Sequence, residues 1–360
     1  MRRRRSNPRN RRGVDKMSEV TQKIMSVLPK EVPFYRSPVT VQILLLRQTH
    51  DYAVFRTEET RELNIAVTPA SISDPTQVTR VVFLASKQKA PESREFAATI
   101  KYYFNATSGD LSTLNVNWDL INDKKSNGVQ PKFFDDLRNS ILECELKDRL
   151  CRACPRCSLF GAVVTENKGI WKKRWNIKHR IEYSSAFSLE PYEELSENLT
   201  FNAVAETTQS TGQALNVTEN VVPLANFPSV VTLVSPTWEE LVLVIKNLLK
   251  CKSYGAESRT KGDTLNYVMG LVIGNEEIIS SLEYTLELSD KKRVDLEATQ
   301  QILEKYSNYA AFPDALHLIT GAELEKFMDE VSSYKIDKQF VEKVLTDSLN
   351  FAVHAESLGD

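Results

Sequence analysis

The sequence predicts an α+β protein, and three observations lead there. Residues 39–46, 226–234 (NFPSVVTLV) and 266–274 (NYVMGLVIG) are runs of the buried-strand type. Thr237 with Glu240, and Thr320 with Glu323, have the spacing of capping boxes that open helices. Between these elements, four of five cysteines fall within residues 144–157 and a basic run follows them. That reads as an insertion stapled by metal, because so short a stretch has too little apolar surface to fold alone.

With 360 residues and 41% apolar content the chain can bury a full core, in two or three units. No apolar run approaches the ~20 residues that span a bilayer. The basic start is not followed by an apolar stretch, so no signal peptide is expected and the cytoplasm is the expected compartment. The Asn-x-Ser/Thr matches at Asn105, Asn198 and Asn216 then carry no weight. In such a chain clustered cysteines read as metal ligands rather than disulfides.

Net charge is −2, but it is unevenly spread. Seven arginines and Lys16 against Asp15 make residues 1–16 about +7, which leaves about −9 for the rest. Any nucleic-acid surface is therefore a local patch on a mildly acidic body. Residues 1–16 are expected to be a disordered tail, or an extension ahead of a start at Met17; the alternative is an arm that touches phosphate.

Taken in order, residues 80–85 and 95–104 read as strands, the second from alternation of Phe96, Ala98, Ile100 and Tyr102. Residues 126–128 (SNG) make a turn. Phe134, Leu137, Ile141 and Cys144 have helical spacing within residues 133–150, which places Cys144 near a helix end. Residues 187–190 and 199–204 read as short strands. Residues 205–220, rich in Thr, Ser, Gln and Asn, suggest a protruding hairpin. A helix should run from Thr237 to about Lys250, a glycine-containing loop over 253–263, and a strand over 281–288. Residues 291–360 are mostly helical, with Leu324, Phe327, Met328 and Val331 on one apolar face.

The cysteines Cys144, Cys151, Cys154 and Cys157 read C-x6-C-x2-C-x2-C. Soft thiolates at this spacing suit structural Zn²⁺; an iron–sulfur cluster and free thiols are the alternatives. The fourth ligand is Cys144 or, failing it, His179. Four filled positions leave no open site for chemistry. Lys168, Lys172, Lys173, Arg174, Lys178 and Arg180 form a cationic strip suited to phosphate, whereas Trp171 and Trp175 within it read as core anchors. The 253–263 loop has the composition of a phosphate cradle but no Walker motif. His50 with Asp51 reads as structural rather than as an acid–base pair, and Cys251 as a buried thiol.

Four blocks carry a family resemblance: LLLRQTHDYAVFRTEE (44–59), CPRCSLFG (154–161), FNAVAETTQSTGQALN with the following FPSVVTL (201–233), and SYGAESR (253–259). In this order they resemble the large, guide-RNA-lining backbone subunit of type I-D CRISPR Cascade-type effector complexes, of the RAMP superfamily. The resemblance spans about residues 30–275 and leaves out the Arg-rich start. It implies a modified RRM-like, ferredoxin-like antiparallel core, or palm, formed by 17–125 and 230–290. It also implies a zinc-binding basic insertion (126–186), a thumb hairpin (200–229) and a C-terminal helical region (291–360).

The implied function is antiviral defence. Copies would polymerise into a helical filament along crRNA, kink it at regular intervals and support pairing with target DNA, beside the large, small and guide-end cap subunits. The guide supplies the sequence specificity and the protein holds backbone and shape. The implied RNA contacts are Thr208, Gln209, Ser210, Thr211 and Gln213 in the thumb, and Arg47, His50, Arg56, Tyr254, Arg259 and Lys261 in the palm blocks. No catalysis is expected. The rival is a related subunit that also cuts single-stranded target with Asp51; a third possibility is an unrelated zinc-bearing RNA-binding protein.

Overall fold

The computed structural model describes residues 17–359, apart from 58, 59, 61, 108, 109, 123–127, 147, 166–168, 202–215 and 257–259, and gives backbone alone at 107, 199–201, 216 and 217. The proposed tail (1–16), the thumb residues Thr208, Gln209, Ser210, Thr211 and Gln213, and Lys168 and Arg259 lie outside the described residues.

The chain opens with α1 (Glu19–Val27), β1 (Thr40–Thr49), β2 (Ile65–Pro69), β3 (Gln77–Phe83) and α2 (Ala85–Thr107). Then come α3 (Pro131–Leu142), α4 (Pro155–Phe160), β4 (Ile181–Tyr183), β5 (Ala186–Phe187), α5 (Tyr192–Leu195), β6 (Ser196–Phe201) and β7 (Asn216–Val221). The remainder is β8 (Asn226–Val234), α6 (Trp238–Lys250), β9 (Thr264–Gly274), α7 (Ser281–Lys291), α8 (Leu296–Ser307), β10 (His317–Ile319), α9 (Gly321–Ser333) and α10 (Lys338–Leu358).

The main sheet has the order β10-β9-β1-β8-β4, and its neighbours pair antiparallel. β1 lies at its centre, with Ile43 opposite Val231 on one side and Leu271 on the other. The unbroken apolar run of β1 follows from burial of both faces. Val41, Ile43 and Leu45 pack under α2, α6 and α9. Leu44 and Leu46 pack with Met269, Val272, Tyr284 and Ile302 under α7 and α8. Helices therefore cover both faces of the sheet, and polar ligands must be met at its ends and edges.

Two strand expectations were helices. Residues 95–104 belong to α2. A spacing of four satisfies both periods, since Phe96, Ile100 and Phe104 share one helix face and one strand face. Burial separates the two: those three are buried, while Tyr102, an inward residue of the strand reading, is 69% exposed. Residues 281–288 lie in α7, opened by a capping box of Ser280 and Glu283 that the apolar pattern masked. The box at Thr237 and Glu240 forms as expected. Thr320 stands at the N-cap of α9 but makes no capping hydrogen bond through its side chain, and α3 ends at Leu142 rather than near 150.

β6 and β7 pair antiparallel from Ser196 with Val221 to Phe201 with Asn216, while residues 202–215 of the expected thumb lie outside the described residues. A small sheet, β2-β3-β5, packs beside the hairpin's base around Phe55, Phe83, Leu195, Val221 and Tyr254.

Candidate metal centre and nucleic-acid interface

Cys144 lies just past α3, Cys151 in the following loop, Cys154 at the N-cap of α4 and Cys157 within it. All four are buried, and their sulfurs lie within 4.8 Å of one another. Three separations are 3.5 Å (Cys144–Cys157), 3.8 Å (Cys144–Cys154) and 3.9 Å (Cys151–Cys157). A tetrahedral ion with metal–sulfur bonds of about 2.3 Å requires sulfurs about 3.8 Å apart. The set therefore fits one ion such as zinc, whereas a cluster with each sulfur on a different iron would spread them wider. His179 is not part of this group: its imidazole is near Glu182 and 44% of its side chain is exposed.

The surroundings suit thiolates. The backbone N–H of Cys151 points at the Cys144 sulfur, and those of Ala153 and Cys154 point at Cys151, at 3.5, 3.4 and 3.3 Å. Hydrogen bonds from the other three thiols lower the pKa of Cys144. Burial raises that of Cys151, and the Cys144 thiolate raises that of Cys154. Four buried sulfurs cannot all ionise without a cation to hold them. Lys101 Nζ and Trp171 Nε1 donate to the carbonyls of Cys144 (2.6 Å) and Cys151 (2.8 Å). Trp171 is thus a core anchor of the metal module, as its sequence context suggested.

The cationic strip beyond the cysteines divides. Lys172, Arg174 and Lys178 are exposed. Lys173 donates to the Ser357 carbonyl, and Glu356 at the end of α10 accepts from the Lys172 and Lys173 N–H groups and from the Trp175 indole. Arg180 is a correction: it is 3% exposed and clamps both oxygens of Glu240, as well as the carbonyls of Ser158 and Ser235. It joins the metal module to the capping box of α6 and does not face phosphate.

Arg47 and Tyr254 are corrected in the same way. Arg47 has the odd-number parity of Val41, Ile43 and Leu45, so it points between the sheet and α2. There it donates to Glu92 (2.6 Å), Ser229 (2.8 Å) and Asn266 (2.9 Å). Tyr254 is buried and donates to Glu92 at 2.7 Å. Burial opposes the Arg47 charge, but the Glu92 carboxylate more than offsets it and raises the pKa. In a strand whose two faces are both covered, position in a polar block does not imply exposure.

Arg56 and Lys261 do reach a common surface. They line a cleft of about 1010 Å³ with Lys87, Arg94, Lys250 and Lys252. Among the described residues these six cations meet one lining acid, Glu95, which pairs with Lys250 at 2.5 Å. The cleft lies where the start of α2, the end of α6 and the 253–263 loop converge. Gly255 closes this wall of the cleft. Gly255, with φ +58°, accepts the Val54 N–H on its carbonyl at 3.0 Å, and a Cβ there would lie 2.7 Å from the Val54 oxygen. Lys87, Arg94, Lys250 and Lys252 escaped the sequence reading because they are isolated cations, two on α2 and two at the end of α6, far apart in the chain. Only folding gathers them. His50 is exposed beside this loop, with its N–H on the Asp263 carbonyl.

The profile of the family described as Csc2 Crispr matches residues 27–345. The chain belongs to the Csc2 Crispr family. Its fold is that of Thermofilum pendens Csc2, whose crystal structure matches with a TM-score of 0.60 at 16% identity, over 95% of this chain and 98% of that one. A chain of a CRISPR RNA-guided surveillance complex, pre-nicking, aligns with a TM-score of 0.37 at 13% identity, over 75% of this chain and 88% of that one. No curated protein sequence matches. Family membership covers the main sheet, the cysteine module and the cleft alike, because all lie within residues 27–345.

Proposed function

We propose that this Csc2-family chain is a non-catalytic backbone subunit of a type I-D Cascade-type effector complex. It lies along crRNA in a filament of its own copies, the hairpin kinks the RNA as a thumb, and the filament supports pairing with target DNA. The observation that carries this is the cleft, lined among the described residues by six cations and one acid, on an otherwise acidic protein. Dispersed cations on one wall suit a partner held by its phosphates.

The strand order supports an RRM-like palm. β9-β1-β8-β4, with α2 between β1 and β4 and α6 between β8 and β9, is the β-α-β-β-α-β arrangement. The faces of this sheet are helix-covered, so RNA is met at its end, where the cleft opens. The ion is zinc and its role structural, because all four positions are protein thiolates and none is left for substrate. Its residues tie α3, α4 and the cationic strip into one module. Asp51, the residue on which a cutting role would rest, accepts the Tyr52 N–H at its carboxylate.

Expression of the full chain with a guide array, followed by sequencing of the RNA that copurifies, tests the proposal. A uniform short guide RNA in stoichiometric amount is the expected result. Protein free of nucleic acid, or carrying random fragments, would contradict it.

A further inference from the structure

We propose that a second cavity, between α2, α6 and the segment joining α9 to α10, is a nucleotide subsite. It takes a nucleobase against Tyr103 and Tyr334, and phosphate at the lysines of its rim. The cavity measures about 600 Å³, room for one nucleotide.

The decisive feature is Asn247. It lines the cavity, is 5% exposed, and its Nδ2 donates to the Glu92 carbonyl at 2.9 Å. That bond fixes the amide's orientation. Oδ1 is then left as a buried acceptor with no donor from the protein. Such an atom is costly unless an occupant satisfies it. The base edges of nucleotides carry N–H donors, and aromatic side chains stack on their faces.

The rim selects an anion. Lys246 and Lys335 face one lining acid among the described residues, Asp337, and that carboxylate is engaged as the cap of α10, accepting from Phe340 at 3.0 Å; Lys250, on the same rim, is paired with Glu95 at 2.5 Å. Lys246 donates to the Ser332 carbonyl, and burial lowers its pKa with no carboxylate among the causes. An apolar peptide would leave Lys335 and the Asn247 oxygen unanswered. Lys250 lines the cationic cleft as well, so the two cavities share a wall. The subsite deepens the nucleic-acid reading and rests on it for one of two sources: a base of the strand held in the cleft, or a free nucleotide.

Photo-cross-linking of the full chain to single-stranded RNA containing 4-thiouridine, with peptide mapping, tests this. Cross-links are expected at Tyr103 or Tyr334, reduced about tenfold in Asn247→Leu and in Lys335→Glu. The second variant alters only an exposed side chain, so its melting curve should match the parent. Loss of these cross-links in excess UMP identifies the free nucleotide as occupant, and their persistence identifies the strand. RNA retained with cross-links confined to the cleft would overturn the subsite and leave the cleft standing. If the chain binds no RNA, the cleft reading falls, and a direct titration with UMP decides the subsite: absence of saturable binding overturns it.

Discussion

The Arg47 guanidinium lies 2.6 Å from the Glu92 carboxylate, and both side chains are fully excluded from solvent. The pair joins the central strand to α2 at the level where the cleft begins. Tyr183 and Tyr254 donate to the same carboxylate at 2.6 and 2.7 Å. Arg47→Ala or Glu92→Ala would each strand a buried charge, at a cost of about 3–5 kcal/mol. Urea unfolding should show that loss for either single variant, and a double replacement by Met and Leu should recover much of it. A surface role for Arg47 predicts instead normal stability with weakened RNA binding.

Removal of any one cysteine of the four should abolish stoichiometric zinc. Elemental analysis is expected to give one zinc per chain for the parent and none for Cys154→Ala or Cys157→Ala. The melting midpoint of either variant should fall by about 10 °C or more, since the metal's binding energy is folding energy here. Trp171, hydrogen-bonded to the Cys151 carbonyl, should report the same loss as a shift in fluorescence. A brown protein with iron, or an unchanged melt after cysteine removal, would contradict the assignment.

Asp347, in α10, has its pKa pushed up to about 6 by burial, which the Lys343 partner only partly offsets. Its folded value is thus above its ordinary value of 3.8. A group raised on folding contributes stability below its unfolded pKa that is lost as pH rises through the folded one. The contribution should therefore decline between about pH 4 and pH 6, by up to about 3 kcal/mol. In Asp347→Asn this decline should be absent. Urea midpoints of the two proteins at pH 4.5 and 7 give the comparison, and parallel pH dependences would contradict it.

Asp51→Ala should leave assembly, RNA binding and the integrity of target strands unchanged. The assay is gel analysis of labelled single-stranded RNA and DNA incubated with the complex and Mg²⁺. Regularly spaced cutting by the parent that disappears in the variant would make this subunit an enzyme.

Much of the frame was legible in the sequence because it is written locally. The apolar continuity of β1, β8 and β9, the Thr237–Glu240 box and the four-cysteine spacing each need few neighbours to interpret. Failures came where a pattern served two structures at once. Phe96, Ile100 and Phe104, four apart, fit a strand as well as a helix; the exposure of Tyr102 decides for the helix. Arg47 and Arg180 looked like surface cations because a lone sequence cannot show Glu92 and Glu240, which bury with them. The cleft was half visible: Arg56 and Lys261 belong to recognisable blocks, but Lys87, Arg94, Lys250 and Lys252 come together only in three dimensions.

The most direct measurement is the salt dependence of single-stranded RNA binding by the full chain, compared with a Lys87→Glu, Arg94→Glu, Lys252→Glu variant. Each phosphate neutralised contributes about −0.7 to the slope of log affinity against log salt. Loss of three such contacts should flatten the slope by about 2 and weaken binding at least tenfold at low salt, with the melting curve retained. The same reversals at Lys172, Arg174 and Lys178 should have a smaller effect, since none of the three lines the cleft. An unchanged slope and affinity in the cleft variant would contradict the assignment of the cleft as the RNA-holding surface.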